Sequence, residues 1–226
     1  MLLALLRMIL YWLIEWPIIT IYLGIWARHR ERMPRKGPAI LIANHNSHLD
    51  VAVIRTLCFA STRGKLRPVG ASDYFLSNPL LRWFSLNIIR IIPLDRKGRV
   101  KPSVLFQPIT DALEQNEIVL IFPEGTRGEP EEMAEVKRGI AHVAQRNPNV
   151  PIIPVFLHGL GKALPRGEAL FIPLRCDAFV GEEIHWEDDR ETFMSNINNA
   201  FDQLKSELPH VGWLDSQPAA DAGNET

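Results

Sequence analysis

Two cysteines, Cys58 and Cys176, are all that the 226 residues contain. Neither belongs to a C-x-x-C pair, so the chain carries no disulfide framework and no zinc ribbon, and both thiols read as core residues. Neither charge is in excess. The 25 basic and 26 acidic residues leave a net charge of -1, which provides no global basic field for nucleic acid. The sequence also lacks an internal repeat, a low-complexity block and a G-x-S-x-G nucleophile elbow. With 46% hydrophobic and 23% charged residues, the chain can bury a core, and its length suits one domain with an appendage.

The apolar residues are unevenly spread. "MLLALLRMILYWLIEWPIITIYLGIW" opens the chain, with Arg7 and Glu15 as its charged residues. As one helix this stretch would be about 39 Å long at 1.5 Å per residue, enough for a bilayer core of about 30 Å. Pro17 should break or kink it, and Glu15 would sit near mid-depth, where a carboxylate is costly. The stretch therefore reads as a kinked or hairpin-like anchor in one leaflet, with a single span as the alternative. A signal peptide does not fit, because a basic n-region and a small-residue cleavage site are missing. The following "ARHRERMPRKG" carries Arg28, Arg30, Arg32, Arg35 and Lys36, which favour the cytoplasmic side and attract anionic headgroups. Residues 1–36 are thus expected as anchor and basic flank, at the inner membrane with the rest of the chain on the cytoplasmic side.

After Gly37 short apolar runs alternate with helix-like stretches. "PAILIAN", "LRPVGAS", "NIIRII", "EIVLIF", "VPIIPVFLH" and "RCDAFVGEEI" read as strands. "HLDVAVIRTLCFAS", "DYFLSNPLLRWFSL", "PSVLFQPITDALEQ", "EMAEVKRGIAHVAQR" and "RETFMSNINNAFDQLKSEL" read as helices, the second broken near Pro79. The alternation predicts an α/β domain over residues 37–210, with a mainly parallel sheet covered by helices on both faces. Function in such sheets collects at the carboxyl ends of the strands. Residues 211–226 are polar and read as a disordered tail.

Two strand ends carry chemistry. "LIANHNSHLD" places His45 directly after a strand and Asp50 near the next helix start. A turn can bring the carboxylate to one imidazole nitrogen and leave the other as a base. Ser47 as nucleophile is a second reading, though it shares the turn with His45. A metal held by His45, His48 and Asp50 is a third, without further His or Cys at a ligand spacing. At the other strand end, "IFPEGTRGEP" offers Gly125 for close backbone approach, Arg127 as a planar fork for anionic oxygens, and Glu124 as an acceptor.

Together, "NHNSHLD" and "FPEGTR" closely resemble the glycerolipid acyltransferase family, whose best-known members are the 1-acylglycerol-3-phosphate acyltransferases. "IIRIIPLDR" resembles the family's second block, with Asp95 and Arg96 in place, although Arg90 stands where a glycine is usual. "VKRG" and "VPIIPV" resemble the remaining blocks, so the likeness runs from Pro38 to Gly159. It implies that His45 deprotonates a lysolipid hydroxyl, with Asp50 orienting the imidazole. The hydroxyl then attacks the thioester of acyl-CoA or an acyl carrier protein, and the product is phosphatidic acid. Oxyanion donors are expected among backbone N–H groups near the two strand ends. The resemblance places Arg96 and Arg127 at the acceptor phosphate, with Asn44, Glu124, Gly125, Thr126 and Lys137 as further substrate-binding positions. It implies no metal and no resident cofactor. The partners it implies are membrane lipids, the lysophospholipid acceptor and the acyl donor, and not nucleic acid. Another lysophospholipid or a lyso-ornithine lipid as acceptor is the alternative, and a non-catalytic membrane scaffold is the alternative of another class. "YFLSNPLLRWF" is the candidate lining of an acyl groove.

Overall fold

The computed structural model describes residues 2–47, 49–95, 100–126, 133–163 and 176–208. Their centre is a sheet of strands β1 (Trp26–Arg28), β2 (Ala39–Ala43), β3 (Leu66–Ala71), β4 (Ile92–Leu94), β5 (Ile118–Ile121), β6 (Ile152–His158) and β7 (Asp177–Val180). They lie in the order β1-β7-β6-β2-β5-β3-β4. Every neighbouring pair is parallel except β6 and β7. The longer helices are α1 (Leu2–Tyr22), α2 (Asp50–Leu57), α3 (Pro79–Phe84), α4 (Gln107–Glu114), α5 (Gly139–Arg146) and α6 (Arg190–Ser206).

The period of two along β2 sorts its side chains between two cores. Ala39, Leu41 and Ala43 face α2 (Val53, Ile54, Leu57) and the end of α1 (Ile19, Leu23). Ile40 and Ile42 face α4 (Ile109, Leu113), α5 (Ile140, Val143) and α6 (Phe193, Ile197, Phe201, Leu204). All five residues of β2 are fully buried. Its continuous apolar run is what a central parallel strand covered on both faces requires. Burying each of its larger side chains stabilises the fold by about 1.5–3 kcal/mol.

Several expectations change. The first stretch forms no hairpin: α1 runs unbroken from Leu2 to Tyr22. Pro17 lies inside it, where its second wide-turned segment opens, and a widened turn of this kind accommodates a residue without an N–H. The edge strand β1, which pairs with β7, takes the last residue of the expected anchor stretch and the first two of the expected basic flank. "NIIRII" is not a strand through its length. The helix of α3 continues in wide turns over Ser85–Ile89. Arg90 then adopts a left-handed φ of 66°, and β4 starts at Ile92. That conformation ends the helix much as a glycine would. In "EMAEVKRGIAHVAQR" the helix begins only at Gly139. Residues 133–137 are irregular and lie across the end of β5, with Lys137 N donating to Pro123 O at 3.0 Å. The helical periodicity of the earlier residues loses to the tertiary bonds made there. The polar tail 211–226 lies outside the described residues.

Candidate active site

β2 lies between β6 and β5, so the carboxyl ends of three neighbouring strands meet. β2 delivers Asn44 and His45, β5 delivers Phe122 and Glu124, and β6 delivers Leu157. The two motifs, far apart in sequence, are adjacent for this reason alone.

His45 Nδ1 lies 2.7 Å from Asp50 Oδ2. Asp50 is fully buried at the first position of α2, and the same oxygen accepts from Asn46 N at 2.8 Å and Ser47 N at 2.9 Å. Burial pushes its carboxyl up, while the bonds from His45, Ser47 and Asn46 oppose that shift by favouring the anion. A carboxylate here makes Nδ1 the protonated nitrogen and leaves Nε2 with its lone pair. The imidazole is about one-fifth exposed, and its ring stacks on Phe122 with centroids 4.1 Å apart and planes at 19°.

Glu124 ties three segments together. Its Oε1 accepts from His45 N at 2.8 Å and its Oε2 from Ala134 N at 2.9 Å. The residue is 1% exposed, and burial pushes its carboxyl up against those two bonds. Expected as a substrate-binding acceptor, Glu124 instead spends both oxygens on the backbone. Asn44 is corrected in the same way. It donates to Leu157 O at 2.8 Å and accepts from Leu157 N at 2.7 Å, imitating a strand peptide one residue past β2. It is 1% exposed.

Gly125 has a φ of 73°, the left-handed region that favours glycine. A Cβ there would lie 2.9 Å from Lys137 Nζ, so the Lys137 ammonium covers this glycine at the end of β5. Thr126 is exposed beside it. His48, Arg96 and Arg127 lie outside the described residues. Among the described residues, no group of three or more His, Cys, Asp or Glu converges as metal ligands do.

The amides expected as oxyanion donors are largely committed. Those of His45, Asn46 and Ser47 serve Glu124 and Asp50, and Gly125 N donates to Phe122 O at 3.0 Å. Phe122 under the imidazole and residues 133–136 were not expected as parts of the site, whereas Lys137 was. Phe122 lies within "FPEGTR", but nothing in the sequence sets its ring against His45.

The Acyltransferase family profile matches residues 25–158. The chain belongs to this family. Several 1-acyl-sn-glycerol-3-phosphate acyltransferases resemble it in sequence. The chloroplastic LPAT1 of Arabidopsis thaliana is 27% identical over 161 residues, covering 67% of this chain and 41% of that protein. The enzyme of Chlamydomonas reinhardtii is 31% identical over 142 residues, covering 62% and 40%. That of Bacillus subtilis is 27% identical over 173 residues, covering 76% and 79%. This chain therefore spans about two fifths of the length of the plant and algal relatives. In structure it is similar to PlsC, the 1-acyl-sn-glycerophosphate acyltransferase of Thermotoga maritima. The TM-score is 0.67 at 18% identity, covering 90% of this chain and 82% of that one. At that identity the likeness establishes the fold.

Proposed function

We propose that this acyltransferase moves a fatty acyl group from acyl-CoA or an acyl carrier protein to the free hydroxyl of 1-acylglycerol 3-phosphate, forming phosphatidic acid. The observation that carries this reading is the His45–Asp50 pair, with Nε2 left free beside the end of β5. As the hydroxyl oxygen bonds to the thioester carbonyl, its proton passes to Nε2. The C–S bond then breaks, and the departing thiolate takes that proton. Such general-base assistance is worth about 10²–10⁴-fold. Asp50 holds the tautomer and stabilises the imidazolium. Thr126 N donates to no described acceptor and is assigned to the developing oxyanion. Lys137 beside Gly125, with Arg96 and Arg127, is assigned to the acceptor phosphate.

The membrane is assigned as the source of the acceptor. α1 is long and apolar enough to cross a bilayer, yet Ile19 and Leu23 are locked into the core and Leu2, Leu13 and Ile21 are at least 70% exposed. This packing supports a helix held along the domain and embedded from one side. The inner membrane is the assigned location, with the catalytic domain on its cytoplasmic face.

The test uses purified full chain in detergent with radiolabelled acyl-CoA. Lysophosphatidic acid, lysophosphatidylcholine, a lyso-ornithine lipid and glycerol 3-phosphate are offered in parallel. Transfer to lysophosphatidic acid, lost in His45→Ala, is expected. Transfer confined to another acceptor overturns the substrate. Failure with both acyl-CoA and acyl carrier protein overturns the activity.

A further inference from the structure

At the end of the sheet opposite the active site, four guanidiniums gather near two carboxylates, and three of them pair with these. Glu117, at the start of β5, pairs with Arg67 at 2.6 Å and with Arg90. Glu15 of α1 pairs with Arg55 of α2 at 2.5 Å. Arg7, one-third of the way along α1, makes no ion pair with a described carboxylate, and it lies within electrostatic reach of Arg90, Arg55 and Arg67 as well as of Glu117. Three of these arginines also hold the closing carbonyls of the wide-turned segment after α3. Arg7 Nε donates to Asn87 O at 2.7 Å, Arg55 Nη2 to Ile89 O at 3.3 Å and Arg67 Nε to Arg90 O at 2.7 Å. A helix C-terminus attracts cations, and that accounts for their gathering. It does not neutralise them. Two positive charges remain uncompensated in a half-buried corner, an arrangement that favours binding an anion.

The surroundings indicate which anion. The corner adjoins exposed apolar side chains on two helices: Leu5, Met8, Ile9 and Trp12 on α1, and Trp83 and Phe84 on α3. Three arginines of the basic stretch 28–36, by contrast, are held by the domain. Arg32 pairs with Glu182 and donates to Val180 O, Arg30 donates to Leu57 O, and Arg28 stacks on Trp26 and bonds to Glu207 O. Of the four arginines in this corner, Arg7 is the one without a described carboxylate partner, and it lies on the helix that carries the exposed apolar side chains.

We propose that Arg7, Arg67 and Arg90 form a binding site for the phosphate of an acidic phospholipid, distinct from the acyl-transfer site. Arg7 keeps its two terminal nitrogens for phosphate oxygens while its Nε anchors to Asn87, and planar guanidinium donors suit that ligand. The lipid's acyl chains would lie along the exposed faces of α1 and α3. The site rests on the membrane-contact reading above and not on the transfer chemistry.

The test is thermal unfolding of the full chain in detergent micelles doped with phosphatidylglycerol or with phosphatidylcholine. A ligand that binds only the folded state raises its stability in proportion to the logarithm of its concentration. Phosphatidylglycerol is expected to raise the midpoint well above the phosphatidylcholine value in the wild type and in Arg7→Lys. Arg7→Gln should lose that difference while unfolding cooperatively without lipid. Equal shifts with both lipids, or a shift retained in Arg7→Gln, would overturn the site. So would the same shift with inorganic phosphate at matched ionic strength, since a free anion would then suffice. The readout is independent of turnover, so either proposal can fail without the other.

Discussion

Glu124→Gln separates two roles for the same side chain. The structure makes Glu124 a staple: one oxygen holds the amide of His45, the proposed base, the other the amide of Ala134. Glutamine keeps one acceptor and turns an NH2 group toward the other N–H, so a buried donor faces a donor. A hydrogen bond to a charged group contributes about 1.5–3 kcal/mol, and an unsatisfied buried donor costs about 1–3 kcal/mol. A loss of roughly 2–4 kcal/mol follows, which at about 2–4 °C per kcal/mol lowers the midpoint by several degrees. The same change loosens the backbone at His45. Displacement of a base by about 1 Å costs on the order of 10²-fold in rate. Differential scanning calorimetry and steady-state kinetics, run on the same preparation, should show a lower midpoint and a lower kcat. KM for the acceptor should be nearly unchanged. A variant that unfolds like the wild type, with its defect confined to acceptor KM, would show that Glu124 contacts substrate and would refute the staple.

Other predictions follow from the same geometry. Asp50→Asn removes the anion that fixes the Nδ1–H tautomer, and kcat should fall by about 10³–10⁴-fold; a rate within tenfold of wild type would remove Asp50 from the mechanism. Phe122→Leu deletes the ring stacked on His45. Such a pair is worth about 0.5–1.5 kcal/mol, so kcat should fall up to roughly tenfold, with Phe122→Tyr restoring it. Cys58 is buried, and burial pushes its thiol up to about 12. The folded protein should therefore resist iodoacetamide at about pH 8 while the denatured chain reacts; rapid native labelling at Cys58, read by mass spectrometry, would contradict that burial.

The fold was legible because its strands are apolar on both faces. "PAILIAN" and "EIVLIF" could be read as central strands, and they became β2 and β5, side by side. Failures occurred where local pattern and tertiary bonds disagree. "NIIRII" has the composition of a strand, but it begins as the end of a helix whose carbonyls three distant arginines hold. "EMAEVK" has a helical pattern, but Ala134 and Lys137 give their amides to Glu124 and Pro123. Neither set of bonds leaves a trace in local periodicity.

The site shows the same division between side-chain chemistry and backbone commitment. His45 and Asp50 could be named from residue type and spacing, since a turn of that length brings a carboxylate to an imidazole. Asn44 and Glu124 were expected to meet substrate because a polar side chain in a motif looks free to act. In the structure each is nearly fully buried and spent on main-chain groups. The amides of residues 45–47 are consumed in turn, and for that reason the oxyanion donor is proposed on the β5 side, at Thr126. Much of this motif therefore builds the backbone that carries His45. A substitution at Asn44 or Glu124 should act through the position of His45, whereas one at Lys137 should act on the acceptor phosphate.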